Sequence, residues 1–170
     1  MKSITFTDEM VRAILEGNKT QTRRPVKMPE GTDLAGRSLS VFIATSTEHH
    51  QTSGGWVPKV QQYIKCPYGK PGDRLQVKDG PVLEITEVRL ERVQDITESD
   101  AKSEGVNEHV LKSCATGPSC VYGVGDPSTF HAPTRACAFH DLWDSIYAKK
   151  PDLNWNANPY VWVVSFKVVS

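Results

Sequence analysis

The chain has 170 residues, enough for one domain with a real hydrophobic core. Its 20 Lys plus Arg residues equal its 20 Asp plus Glu residues, so no whole-molecule field draws in nucleic acid or acidic membrane, and such binding must come from a local patch. No signal peptide is visible at the start and nothing approaches the ~18 consecutive apolar residues of a membrane span, so a cytoplasmic protein is expected, with cysteines read as thiols or ligands before disulfides.

Residues 2–6 alternate, with Ile4 and Phe6 apolar, and predict a first strand. Thr7 caps a helix whose first turn holds Asp8 and Glu9, favourably placed against the helix dipole. Met10, Val11, Ile14 and Leu15 give that helix one apolar stripe. Glu16 ends it, and Gly17 fits the left-handed residue that commonly follows. Lys19, Thr20, Thr22, Arg23 and Arg24 then place a base, two hydroxyls and two guanidinium groups within six residues. Pro25 limits how far a strand here can pair centrally.

The composition changes over about 27–65, read as an inserted arm. Strands are expected at 39–43 and 56–64, with a polar hairpin tip between them that carries a solvated His49-His50. The prolines and glycines of 66–73 fix a turn. A strand over 74–78 should turn Leu75 and Val77 inward, and Asp79-Gly80 marks a hairpin. A long strand follows over 82–93, with Leu83, Ile85 and Leu90 toward a core. Thr97 and Asp100 have capping-box spacing for a short second helix that carries Ala101 and Glu104 before Gly105 closes it. A second irregular insertion covers about 107–136.

Phe139, Leu142, Trp143, Ile146 and Tyr147 fall on one helical face, and Pro151 lies beyond its end. The near-continuous apolar run 160–168 is the strongest strand in the chain and should be buried on both faces. The whole predicts a single α+β domain over 1–170, a small mixed β-barrel with short flanking helices.

With these residues in view, the chain resembles the ASCH family, whose fold is a PUA-like β-barrel. The matching pieces are Ile14 through Arg24, Pro71-Gly72-Asp73-Arg74-Leu75-Gln76-Val77, Leu90 through Glu98 leading to Glu104-Gly105, and Asn158 through Phe166. They cover roughly half the chain in the family's order. The larger phage and metagenomic ASCH proteins are especially similar. Many of those carry Trp-Val-Arg-Glu-Thr after the Gly-Asp turn, where this chain reads Gln76-Val77-Lys78-Asp79-Gly80.

One ASCH branch hydrolyses N4-acetylcytidine with a lysine and a threonine from the basic motif and a glutamate further on. That resemblance implies Lys19, Thr22 and Glu104 as catalytic residues, with Arg24 matching the motif's arginine. Other members are described as RNA-binding or as ribonucleases, so single-stranded RNA is the alternative partner to a modified nucleoside.

Amide hydrolysis needs an activated nucleophile and an acid for the departing amine. Thr22 would attack, Lys19 would take its proton as the free amine, and Glu104 would serve the leaving nitrogen. Burial and neighbouring cations lower a lysine's pKa, and Arg23 and Arg24 supply such cations. Arg24, with Arg23, would orient the ligand. In an ideal strand Lys19 and Thr22 would face opposite sides, so Lys19 must sit in the loop before the strand begins. The plainer alternatives are a solvated Lys19 at a helix end, Thr22 as an ordinary β-branched strand residue, Arg24 in a surface ion pair and Glu104 on a solvated helix face.

No metal or organic cofactor is needed for this chemistry. Cys114, Cys120, Cys137 and His140, with His131 in reserve, offer zinc-type donors, but the five residues between Cys114 and Cys120 exceed the usual spacing. Free thiols packing a loop are the simpler reading. Tyr68, with Trp56 and Tyr63, lies near a turn where it can stack on a base; rim packing is the alternative. Trp143, Tyr147 and Trp162 are assigned to the core.

Overall fold

A computed structural model describes residues 1–27, 65–111, 119–126 and 131–169. The arm expected over about 27–65, including His49-His50, Trp56 and Tyr63, falls almost wholly outside the described residues, as does Cys114.

Strands β1 (Lys2–Ile4), β2 (Gln21–Pro25), β3 (Arg74–Val77), β4 (Val82–Arg92) and β7 (Tyr160–Val168) form one sheet in the order β1-β3-β4-β7-β2. The pair β1 and β3 is parallel, and the other neighbours are antiparallel. As its apolar run implies, β7 is buried on both faces. Its two-residue period sends Trp162, Val164 and Phe166 into one core with Ile4, Phe6, Leu75 and Ile85, while Val161 and Val163 enter a second core with Val93, Phe139 and Trp143.

Leu83 and Ile85 share the first core with Val88, although their positions differ in parity. A bulge between Ile85 and Glu87 absorbs the extra residue and keeps both ends of β4 facing inward. The sheet curls around this core so that Phe6, just past edge strand β1, shares it with β7 and lies 6.2 Å from Phe166 between ring centroids. The two edges, β1 and β2, do not pair. A side chain bridges them instead: Arg24 Nη2 donates to the Thr5 carbonyl at 2.7 Å. The α+β architecture is therefore a curled five-stranded sheet, without a closed ring of backbone hydrogen bonds among the described residues. Pro25 ends an edge strand, where its missing N–H does no harm.

Helix α1 (Asp8–Leu15) is capped by Thr7, whose hydroxyl accepts from the Met10 amide. Helix α2 (Glu98–Ser103) carries the full capping box: Thr97 accepts from Asp100 N, and the Asp100 carboxylate accepts from Thr97 N. Gly105 follows at φ +94°. Helix α3 (Arg135–Tyr147) is joined to α2 through Glu98, whose two carboxylate oxygens accept from Arg135 N and Ala136 N, both at 3.0 Å.

The second irregular region contains a hairpin that its composition concealed: β5 (Asn107–Leu111) pairs antiparallel with β6 (Ser119–Gly123). No helix among the described residues is long and apolar enough to cross a membrane.

Candidate functional site

The end of α1 places Lys19. With Gly17 at φ +77°, the amides of Asn18 and Lys19 both donate to the Ala13 carbonyl, and the chain reverses. Thr20 N then donates to Ser103 O at 2.9 Å, which fastens this loop to the end of α2. Strand β2 begins only at Gln21, so Lys19 lies in the loop and the parity of the strand does not separate it from Thr22. Both residues line a cavity of about 340 Å³ at edge strand β2, between the β1–α1 connection and α3.

Glu104 is the residue that ends α2, and it lies on the same cavity. Lys19 Nζ donates to its backbone carbonyl at 2.6 Å and to its carboxylate at 3.0 Å. Both side chains are almost wholly removed from solvent, at 2% and 3% exposure. Burial pushes the Lys19 ammonium below its ordinary pKa of 10.5; Glu104 pulls it back up, while Arg24 and Arg23 push it down again, and the net direction is down. A free amine can donate two hydrogens to these two Glu104 oxygens and still keep a lone pair for a proton. Thr22, 4% exposed, has no side-chain hydrogen bond among the described residues.

Arg23 and Arg24 part company. Adjacent strand residues face opposite sides, and opposite partners on β7 share a face: Arg24 stands across from Trp162 and Arg23 across from Val163. Arg23 is consequently on the face covered by α2 and α3. It reaches the cavity wall, but its guanidinium contacts Glu91 (3.0 Å), Asp100 (3.3 Å) and Glu104 (3.4 Å). The Gln21 amide, with its oxygen turned to Arg23 Nη1 and its nitrogen to Asp100, completes the cluster. Desolvation would raise the Asp100 pKa, but donation from Thr97 and the Arg23 charge win and hold it at about 2. Arg23 thus positions Glu104 from behind.

Arg24 remains directed at the cavity, 5.2 Å from the Phe6 ring centroid, and its buried Nε has no partner among the described residues. Tyr68 does not line this cavity. It lies in a neighbouring cleft that shares Arg24 and Tyr147 with it. Burial raises the Tyr68 pKa against the pull of Arg24, so the phenol keeps its proton.

The apolar wall was not assigned from sequence. Phe139, Leu142, Trp143, Ile146 and Tyr147 occupy one helical face as predicted, and the same face that packs the second core also covers the cavity. Among the described residues no three His, Cys, Asp or Glu side chains cluster as metal ligands. Cys137 is exposed, His140 pairs with Asp144 at 3.3 Å, and His131 lies 3.5 Å from Asp141. The side chain of Cys120 is outside the described residues.

Fold and site together define an α+β domain with a small cavity built around a buried lysine–glutamate pair. The chain is similar in structure to protein EF3133 from Enterococcus faecalis V583, of the DUF984 family, at 13% identity and a TM-score of 0.47, over 99% of this chain and 80% of that one. It is likewise similar to an ASCH domain from Lactobacillus crispatus JV V101, at 16% identity and a TM-score of 0.45, over 98% of this chain and 78% of that one. No family model and no curated protein matches the chain.

Proposed function

We propose that the protein is a cytoplasmic amidohydrolase that removes an acyl group from the exocyclic amine of cytidine-type nucleosides, with N4-acetylcytidine as the reference substrate. The observation that carries this reading is the Lys19 amine, buried at 3.0 Å from the Glu104 carboxylate in a cavity that Thr22 also lines. Burial that favours an uncharged amine converts an ordinary lysine into a base beside a hydroxyl. The ordered motif resemblance to the N4-acetylcytidine branch of the ASCH family selects the substrate.

The cytosine ring lies against the apolar side chains of Phe6, Phe139 and Trp143, with Arg24 directed at its polar edge. Thr22 Oγ1 attacks the acyl carbon while its proton passes to Lys19 Nζ. The new C–O bond gives a tetrahedral intermediate. Its collapse breaks the C–N bond, and the departing amine takes a proton that travels from Lys19 through Glu104. Water, deprotonated by the same lysine, then releases the carboxylic acid and restores Thr22. Each proton removed is returned, and water is the one co-reactant consumed.

Turnover of N4-acetylcytidine by the wild type, Lys19→Ala, Thr22→Ala and Glu104→Ala tests the assignment. The wild type should release cytidine, and each variant should lose at least about two orders of magnitude in kcat. Equal rates in all four would reject it.

A further inference from the structure

Beside the Lys19 cavity lies a larger cleft of about 770 Å³, and the two share Arg24 and Tyr147. The chain as a whole carries as many acidic as basic residues, 20 of each. This cleft does not share that balance: Arg24, Lys27, Arg92 and Lys150 line it, opposed by the single carboxylate of Asp152. None of these four cations forms an ion pair with a carboxylate among the described residues. Arg23, one position from Arg24, contacts three carboxylates. The difference leaves the positive charge of the cleft open to a ligand.

Two of the cations are also held in place. The Arg92 guanidinium sits 3.8 Å from the centroid of the Tyr160 ring, and its Nη1 donates to the Asn158 carbonyl at 2.9 Å. Arg24 is tied to Thr5 through Nη2, while its Nε is buried and has no partner among the described residues. A buried donor left unpaired is costly, and a ligand oxygen would relieve it. Tyr68, on the same wall, keeps its phenolic proton and adds a neutral donor.

Resting on the nucleoside reading of the adjoining cavity, we infer that this cleft binds the phosphate of the ligand, so that the substrate is a cytidine nucleotide, free or at a point in an RNA strand, in preference to the bare nucleoside. The base and its acyl group occupy the smaller cavity, and Arg24 stands at the junction. Arg92 and Lys150 take the phosphate oxygens by charge-assisted hydrogen bonds.

The test is binding of cytidine, cytidine 5′-monophosphate, cytidine 3′-monophosphate and the dinucleotide CpC to the full chain by calorimetry at low salt. At least one phosphorylated ligand should bind about tenfold or more tighter than cytidine, with the advantage shrinking as salt is raised. A preference for a monophosphate over CpC identifies a free nucleotide; the reverse identifies a strand. Lys150→Glu, at an exposed position, and Arg92→Ala should each narrow the ratio between the phosphorylated ligand and cytidine. No phosphate advantage in the wild type, including no binding of any of the four, or a ratio indifferent to both substitutions, overturns the inference. The two proposals fail separately: turnover of N4-acetylcytidine without a phosphate advantage leaves the hydrolase standing alone, and a phosphate advantage without turnover leaves the cleft standing alone.

Discussion

Lys19 and Glu104 stand 85 residues apart in the chain, yet the lysine amine touches both the carbonyl and the carboxylate of the glutamate. The two groups meet because two helices end at the same place: α1 hands over to the loop that carries Lys19, and Glu104 closes α2. Thr20 N on Ser103 O holds the two helix ends together.

The first prediction follows from the unequal positions of the two partners. Removing a donor from a buried carboxylate leaves that charge without its hydrogen bond, at ~1–3 kcal/mol and more for a charged group. Lys19→Met removes both donations to Glu104 and leaves its carboxylate with only Arg23, at 3.4 Å, and should cost about 3 kcal/mol. Glu104→Gln keeps an oxygen for the lysine to donate to, and burial already favours the uncharged amine, so this variant should lose only about 1–2 kcal/mol. The double variant Lys19→Met/Glu104→Leu should recover part of the loss. Urea unfolding at neutral pH measures all three, and equal costs for the two single variants would contradict the asymmetry.

The second prediction concerns pH. Burial lowers the folded-state pKa of Lys19, so between that value and the unfolded ~10.4 the unfolded chain binds more protons than the folded one. Stability from this residue is therefore complete above ~10.4 and is lost as pH falls through the folded value. The stability of the wild type relative to Lys19→Met should grow as pH rises from neutral toward ~10.4. A flat difference would mean that the amine titrates as it does in water. The rate follows the same ionisation. In the wild type kcat/KM for N4-acetylcytidine should climb with pH as the free amine forms and then level off, and Lys19→Arg, permanently charged, should show no such climb.

Much of this arrangement was legible because it is local. Thr7, the Thr97–Asp100 box and Gly17 act over three or four residues, and their spacing specifies helix ends that the structure reproduces. What escaped the sequence depends on distant partners. Arg23 looks like Arg24 in the motif, and only Glu91 and Glu104, 68 and 81 residues away, make one a brace and the other a cavity residue. The parity change between Ile85 and Val88 hides a bulge that only strand pairing reveals. Apolar periodicity on α3 gives a buried face but does not separate a packed core from the wall of a cavity, because both require the same side chains. The β5–β6 hairpin was obscured by the Gly, Pro and Ser content of its surroundings, although its register is regular from Asn107 opposite Gly123 to Leu111 opposite Ser119.

The third prediction uses a residue without a side chain. Gly105 follows Glu104 at φ +94°, and a Cβ built there would lie 3.3 Å from Lys19 Cβ and 3.7 Å from Cγ and Cδ. Gly105→Ala therefore does two things: it places an L side chain in left-handed backbone, at ~1–2 kcal/mol, and it pushes the lysine stem away from the carboxylate beside it. Gly72 separates the two effects. Its φ is +89°, but a Cβ there would meet nothing within 4 Å. Gly72→Ala and Gly105→Ala should lower Tm by similar amounts, about 3–6 °C in a chain of this size. Gly72→Ala should keep its kcat, whereas Gly105→Ala should lose about tenfold or more, because a base shifted by a few tenths of an ångström no longer reaches the hydroxyl. Matched losses of kcat in the two variants would show that the fit between Gly105 and Lys19 is a matter of packing alone.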